Sequence, residues 1–272
     1  MLAQRVRPFI LRRRKENVAA ELPAKTVAVK LLRLQGAQRD LYESVRVAAD
    51  KQVRRVLERR GFTGSHVTIM DALLKLRQVC CDPLLLKGDK ARRNIERAKI
   101  DMLRDMLPSL VAEGRRVLVF SQFTEMLDLI EIELDALQLD WLALTGKTPP
   151  ARRGEVVAQF QSKTVPILLV SLKAGGIGLN LTAADTVILV DPWWNPAVEE
   201  QAIARAHRIG QEQTVFVYKL IIEGSIEERI LELQERKSAL AEGVLGSDHA
   251  VAPKFSAAEL NALMAPLGSL SR

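Results

Sequence analysis

Val117-Leu118-Val119-Phe120 is a run of four apolar residues closed off by Ser121-Gln122. It is too short for a helix and carries no polar alternation, so it reads as a strand buried on both faces. The pattern recurs downstream. Trp141-Leu142-Ala143-Leu144, Ile167-Leu168-Leu169-Val170, Val187-Ile188-Leu189-Val190 and residues 215–220 are further short apolar runs. Helical stretches at 123–137 and 151–161 lie between them. This alternation predicts an α/β fold with a mainly parallel sheet covered on both faces.

Working outward, Ile100, Leu103, Met106, Leu107, Leu110 and Val111 mark an amphipathic segment ending at Gly114. Residues 87–98 are charged and poor in apolar side chains, and read as a linker. A long helix is expected over 37–60, from Leu41, Val45, Ala48, Val53, Val56 and Leu57, with Gly61 and Gly64 breaking it. A second helix runs from Val67 to Val79 and stops before Pro83. Val27, Val29 and Leu31, then Leu32 and Leu34, suggest a strand with a phase slip inside an otherwise irregular or extended region 1–35. At the other end, Ser225 and Glu228 form a capping box. They open a helix to about Ala241, with Ile226, Ile230, Leu233 and Leu240 inward. A loop at 243–256 and a short helix at 257–265 follow. The resulting segments are 1–95, 96–222 and 223–272.

Of the 272 residues, 48% are hydrophobic but only 4% aromatic, so the core must be built from Leu, Val, Ile and Ala. The formal net charge of +7 is uneven: residues 1–60 hold 16 Lys/Arg against 6 Asp/Glu. A basic leading segment on a near-neutral body suggests a polyanionic partner. Cys80 and Cys81 are adjacent, which suits neither a disulfide nor a zinc site. No metal site is expected. No apolar run is long enough for a membrane span, and no secretory leader is evident, so a reducing, cytoplasmic location is expected, nucleoid-associated if the source is bacterial.

Two apparent phosphate motifs are incomplete. Thr145-Gly146-Lys147-Thr148 resembles the end of a Walker A loop, but the first glycine of that pattern would fall at Trp141. Gly175-Gly176-Ile177-Gly178 would need its last dinucleotide-binding glycine at Leu181. Ser171 to Asn180 remains a phosphate candidate on other grounds. It follows a strand at the edge where open α/β sheets bind ligands, small residues there expose backbone N–H groups, and Lys173 adds a point charge. Asp191-Pro192-Trp193-Trp194-Asn195-Pro196 follows the next strand as a rigid turn, either a packed corner or a wedge beside the ligand. Arg205 and Arg208 are expected on a helix beginning near Ala197, on one face, with Gln201, His207 and Gln211 completing a polar stripe.

Together these segments resemble the second lobe of the SWI/SNF-type helicase-like ATPases of the second helicase superfamily. Ser121-Gln122-Phe123 resembles that family's fourth motif. Residues 144–148 with Arg152 or Arg153 resemble its DNA-backbone loop, 171–190 its fifth motif and 201–211 its sixth, in the His-Arg-Ile-Gly-Gln form. Pro8 to Arg13 and Glu21 to Lys25 resemble the end of the first lobe, and Leu76 to Cys80 a helical insertion. The resemblance implies a RecA-like lobe with a mainly parallel sheet between helices, preceded by a basic helical insertion and followed by a bracing helix. It also implies a motor that hydrolyses ATP between two lobes and moves along double-stranded DNA.

Carried over, Arg205 and Arg208 would be catalytic, reaching the γ-phosphate, with Arg208 the preferred finger. Gln201, Gly178 and Asn180 would bind nucleotide. Ser121, Gln122, Lys147, Ser171, Lys173 and Trp194 would contact DNA. Leu172, Ala204 and Cys81-Asp82 depart from the family pattern without removing one of these roles. The sequence holds no complete Walker A loop and no Asp-Glu-x-His box. The resemblance therefore implies half of a composite site, in which ATP and Mg²⁺ are held by a missing first RecA-like lobe, supplied in cis or in trans. A non-enzymatic DNA-binding module and an RNA helicase lobe remain the alternatives.

Overall fold

The computed structural model describes residues 22–87, 95–172, 178–243 and 256–268. Its centre is a six-stranded sheet: β1 (Lys25–Leu32), β2 (Val117–Ser121), β3 (Trp141–Leu144), β4 (Ile167–Ser171), β5 (Thr186–Leu189) and β6 (Val215–Ile222). The spatial order is β1-β6-β5-β2-β4-β3, and each pairing is parallel. The central strands β2, β4 and β5 are buried at each position, which is why their sequences are continuous apolar runs rather than alternations.

Side-chain parity divides the interior. Val117, Val119, Ile167, Leu169, Leu220 and Ile222 face one core. Leu118, Phe120, Leu168, Val170, Val215 and Val217 face the other. On the first face lie α1 (Gly36–Gly64), α2 (His66–Cys81), α3 (Ala98–Ala112), α4 (Thr124–Ala136) and α7 (Ile226–Gly243). The second is covered by α5 (Pro150–Gln161) and α6 (Pro196–Ile203), through Phe160, Ala202 and Ile203. A short α8 (Ala257–Leu263) packs on the first core through Leu260 and Leu263. It has a complete capping box between Ser256 and Glu259.

Several expectations are refined. The sheet takes its sixth strand from residues 25–32, upstream of the helical hairpin, so it crosses the segment boundary expected at residue 95. The phase slip of β1 separates two environments. Leu32 and Leu34 are buried, whereas Val27, Val29 and Leu31 are 43–52% exposed on the outer strand. The break at Gly61 is real in the backbone (φ 65°), although helical turns resume and carry α1 to Gly64. At the start of α7 the capping bonds are shifted. The Ser225 hydroxyl accepts from Glu227 N–H (3.0 Å), and Glu228 accepts from Gly224 N–H (2.6 Å). Residues 244–255, expected as loop, and residues 8–13 lie outside the described residues, as does most of the 87–98 linker.

Candidate functional site

β2 and β4 end side by side, with Ser121 opposite Ser171. From β2 the chain leaves toward β3, while from β4 it crosses β2 to reach β5 on the other side. This reversal creates the crevice where parallel α/β sheets bind ligands. Asp191, just past β5, is buried in its floor. It accepts from the Ser121 hydroxyl (2.5 Å) and from Gln122 N–H (3.2 Å). Burial pushes the Asp191 carboxyl above its ordinary value, against the pull of the nearby Arg77 guanidinium.

These contacts correct one expectation. Ser121 is fully buried and its hydroxyl is spent on Asp191 and on Phe123 N–H, so it shapes the crevice floor rather than facing a phosphate. Ser171 is also buried, 4% exposed. Gln122 differs: its Nε2 is buried without a hydrogen-bond partner, so an amide donor is left available to a ligand that enters there. Lys173 lies outside the described residues, with 174–177.

The Trp193-Trp194 turn is a packed corner. Arg77 of α2, 2% exposed, sits with its guanidinium carbon 5.5 Å from the Trp194 ring, 5.9 Å from Trp193 and 5.7 Å from Phe123. It also donates to the Pro192 carbonyl. Trp193 N–H donates to Glu199 of α6 (2.7 Å), and Glu199 pairs with Lys219 (2.7 Å). Both tryptophans remain half-buried. Trp194 can therefore present an edge to a ligand while its other face is held.

Lys147 lies in a tight turn after β3, closed by Thr145 and Thr148 bonding each other's backbone. Its ammonium is 2.7 Å from both carboxylate oxygens of Asp128, a hydrogen-bonded contact that raises its pKa. A phosphate must compete with Asp128 for this lysine. Asp128→Asn is expected to free Lys147 and steepen the fall of log K for duplex DNA with log[salt] by up to about 0.9, one phosphate's share. A salt titration of both proteins checks this, and identical slopes would remove Lys147 from the DNA contacts.

The arginines sit elsewhere. Asn195 caps α6 by accepting from Ala197 N–H (3.0 Å), and Pro196 suits the first turn. The helix ends at Ile203, so Arg205 and Arg208 are not on it, contrary to the spacing argument. They occupy a turn where Gln211 pulls the chain back. Buried Gln211 donates to the carbonyls of Thr182 (3.1 Å), Ala184 (2.7 Å) and Ala206 (3.1 Å). Gln211 is thus a clamp, not part of a ligand-facing stripe. His207 likewise contacts the Pro23 carbonyl (2.8 Å). Thr182 and Ala184 precede β5, so this turn lies toward the amino-terminal edge of the sheet.

What the turn leaves exposed is charge. Arg208 is exposed and Arg205 partly buried, and neither has an ion pair among the described residues. Burial, then the charge of Arg208, holds the Arg205 guanidinium below the ordinary arginine value, and its Nε is buried without a partner. Leu181 N–H donates to the Arg205 carbonyl (3.0 Å), which brings the exposed Gly178 and Asn180 within three residues of the pair. Gln201 is exposed in the last turn of α6. Gly178, Asn180 and Gln201 therefore lie beside this turn, the first two through Leu181 and the last along the chain, while Ser121, Gln122, Lys147, Ser171 and Trp194 lie at or just past the carboxyl ends of their strands.

Residues 98–210 match the family model for the helicase conserved C-terminal domain, and residues 1–85 match the SNF2-related domain. The double-stranded-DNA complex of the Sulfolobus solfataricus SWI2/SNF2 ATPase core superposes with a TM-score of 0.71 at 30% identity, covering 96% of this chain and 55% of that one. The chain belongs to the SWI/SNF-type helicase-like ATPase family, as its C-terminal lobe. The isolated C-terminal domain of the Sulfolobus enzyme matches this lobe over 88% of its length and 97% of its own, at 29% identity and a TM-score of 0.68. A putative ATP-dependent helicase/translocase of Bacillus subtilis, YwqA, is 38% identical over 91% of the lobe and 27% of its own length. An uncharacterized ATP-dependent helicase of Mycoplasma pneumoniae is 34% identical over 91% of this chain and 23% of its own length. The lobe spans about a quarter of the length of such curated relatives.

Sequence reasoning missed the buried ions that hold the lobe together. Arg77 shares the inward stripe of α2 with Leu73 and Cys80, and Lys99 shares that of α3 with Leu103, Leu107 and Leu110. A cation on an apolar stripe was the available signal. Lys99 donates to Glu227 of α7 (2.7 Å) and to the Val190 carbonyl, and both side chains of the pair are fully buried. Among the described residues no cluster of His, Cys, Asp or Glu could hold a metal ion, and no helix is long and apolar enough to cross a membrane.

Proposed function

We propose that this lobe serves an ATP-driven motor that moves along double-stranded DNA, and that it contributes the arginines of an ATP site whose phosphate- and Mg²⁺-holding half is a first RecA-like lobe, in cis or in trans. The observation that carries this reading is the Arg205–Arg208 pair, set side by side with no carboxylate against either among the described residues and with a buried Nε left open. Unpaired, mutually repelling guanidiniums are costly unless an anion completes them. A triphosphate fits that need. In phosphoryl transfer the charge spreads over equatorial oxygens, and a positioned guanidinium stabilises it.

The carboxyl edge suits a duplex backbone in the same reading. Gln122 offers its amide, Lys147 its ammonium and Trp194 its exposed edge, with Ser171 and Lys173 in the adjoining segment. Ser121 acts by holding Asp191. α7 serves as the brace, tied to α3 by Lys99–Glu227 and to α6 by Gln234–Glu199 (2.9 Å). A DNA-associated location follows. The likeness to the Sulfolobus core bound to duplex DNA supports the DNA part of this reading, and the likeness to the putative Bacillus ATP-dependent helicase/translocase supports the ATP-driven motor part.

The test is ATP hydrolysis by the purified chain, with and without duplex DNA, then with a first lobe added. No turnover alone and DNA-stimulated turnover on addition are expected. Hydrolysis by the chain alone would mean a complete nucleotide site within it and would end the composite-site reading.

A further inference from the structure

The outer half of α1 carries a stripe of cations that the motor reading does not use. Lys51, Arg54, Arg55, Arg59 and Arg60 are all exposed there, with Glu58 the one acid among them. Arg54 pairs with Asp50 (2.9 Å). Among the described residues, no carboxylate reaches ion-pair distance of Lys51, Arg55, Arg59 or Arg60. Several other exposed helical cations are matched, Lys75 with Asp71, Arg104 with Asp101 and Glu133, and Arg236 with Glu232, while Arg39, near the start of α1, stands alone among the described residues and outside the stripe.

Lys51, Arg55 and Arg59 recur every fourth residue, so they line one face over about 12 Å of helix axis. Like charges at this spacing destabilise a helix by about 0.2–0.5 kcal/mol per pair. Interaction with the helix dipole offsets this just before the Gly61 break, at Arg59 and Arg60, but not for Lys51 and Arg55, which lie further in. The stripe is therefore a local cost that a polyanion would relieve.

Its position narrows the partner. α1 follows the carboxyl end of β1, and α2 returns to the same edge, where Arg77 meets Pro192. The base of α1 is anchored there: Tyr42 accepts from Ile226 N–H (2.9 Å), and Arg46 donates to the Met264 carbonyl (3.2 Å). Lys51 lies about 22 Å along the axis from Gly36, and Arg59 about 34 Å. The stripe thus sits at the far end of a hairpin rooted at the edge where Gln122, Lys147 and Trp194 lie.

We infer that this face of α1 is a second contact for the duplex phosphate backbone, separate from the sheet edge. The inference rests on the proposal that the lobe binds duplex DNA. It assigns the stripe to phosphates rather than bases, so it contributes affinity and salt dependence without sequence preference.

The experiment compares three forms of the chain binding a labelled duplex across a salt series: the unsubstituted protein, Lys51→Gln/Arg55→Gln/Arg59→Gln, and a control, Lys75→Gln/Arg104→Gln/Arg236→Gln. The stripe variant should flatten the log K against log[salt] slope by up to about 2.7, three phosphates at about 0.9 each. Between 50 and 200 mM salt the unsubstituted chain should then lose up to about 40-fold more affinity than the variant. The control should keep the full slope, and the stripe variant's thermal melt should not fall. An unchanged slope in the stripe variant, or equal flattening in the control, would overturn the second contact while leaving the DNA reading standing. Failure of the unsubstituted chain to bind duplex at all would overturn both. Displacement of the duplex from the stripe by polyglutamate at far lower concentration than by unlabelled duplex would reassign the face to an acidic protein.

Discussion

Arg208→Ala, in the lobe combined with a first lobe, is expected to lower kcat for ATP hydrolysis by about 10³-fold or more while leaving duplex-DNA affinity unchanged. The size follows from geometry. Arg208 is exposed at a turn held by three hydrogen bonds from Gln211, so its guanidinium is presented on a fixed support with no carboxylate to release. Arg205, already partly buried beside it, brings a second charge. Arg208→Lys should restore little, because an ammonium is a point charge and lacks the planar fork. The substituted side chain is exposed, so the melting temperature should hold. Steady-state hydrolysis and equilibrium DNA binding on the same preparations separate the outcomes. Equal loss of both would remove the finger role from Arg208.

The largest expected loss of stability comes from the pair that ties the brace to the body. Lys99→Met leaves Glu227 buried and without its cation, and breaking such a pair costs about 3–5 kcal/mol. At about 2–4 °C per kcal/mol, Tm should fall by roughly 6–20 °C. Lys99→Met combined with Glu227→Leu should recover much of that, since an apolar pair removes the unpaired charge. Failure of the double variant to recover would point to the Val190 carbonyl and Ile222 N–H, which the pair also serves. The pair also has an alkaline signature. Burial opposes the Lys99 charge, but Glu227 and its neighbours outweigh it and raise the pKa above the ordinary 10.5. A raised lysine contributes stability that is complete below its unfolded value and lost as pH climbs through the folded one. The unsubstituted protein should therefore lose stability more steeply above about pH 10.5 than Lys99→Met does.

The sheet was legible because its central strands are buried on both faces, and a continuous apolar run this short fits little else than such a strand. Leu118 and Val119 serve opposite cores, yet both must be apolar. The helical hairpin was legible from its stripe and its glycines. The arginine turn was not. Spacing alone continues α6 through Arg205, whereas the helix stops at Ile203 and Gln211 draws the following turn toward carbonyls 27–29 residues upstream in sequence. A local pattern carries no trace of that bond. Ser121 misleads for a related reason: a hydroxyl at the carboxyl edge suits a phosphate, but Asp191, 70 residues away, claims it first. The family motif names candidate residues and does not say which of them are spent on the fold.

The sixth strand has a consequence for how the lobe is made. Lys25 of β1 pairs with Val215 of β6, 190 residues later. At about 5–20 residues per second a ribosome takes roughly 10–40 s to supply that partner. During this interval Val27, Val29 and Leu31 belong to a strand with no neighbour, while α1 and α2 can already pair locally. Until β6 emerges the nascent chain thus carries an unpaired strand edge, and a holding chaperone has a target there, in a segment whose Val27, Val29 and Leu31 side chains stay exposed in the folded lobe.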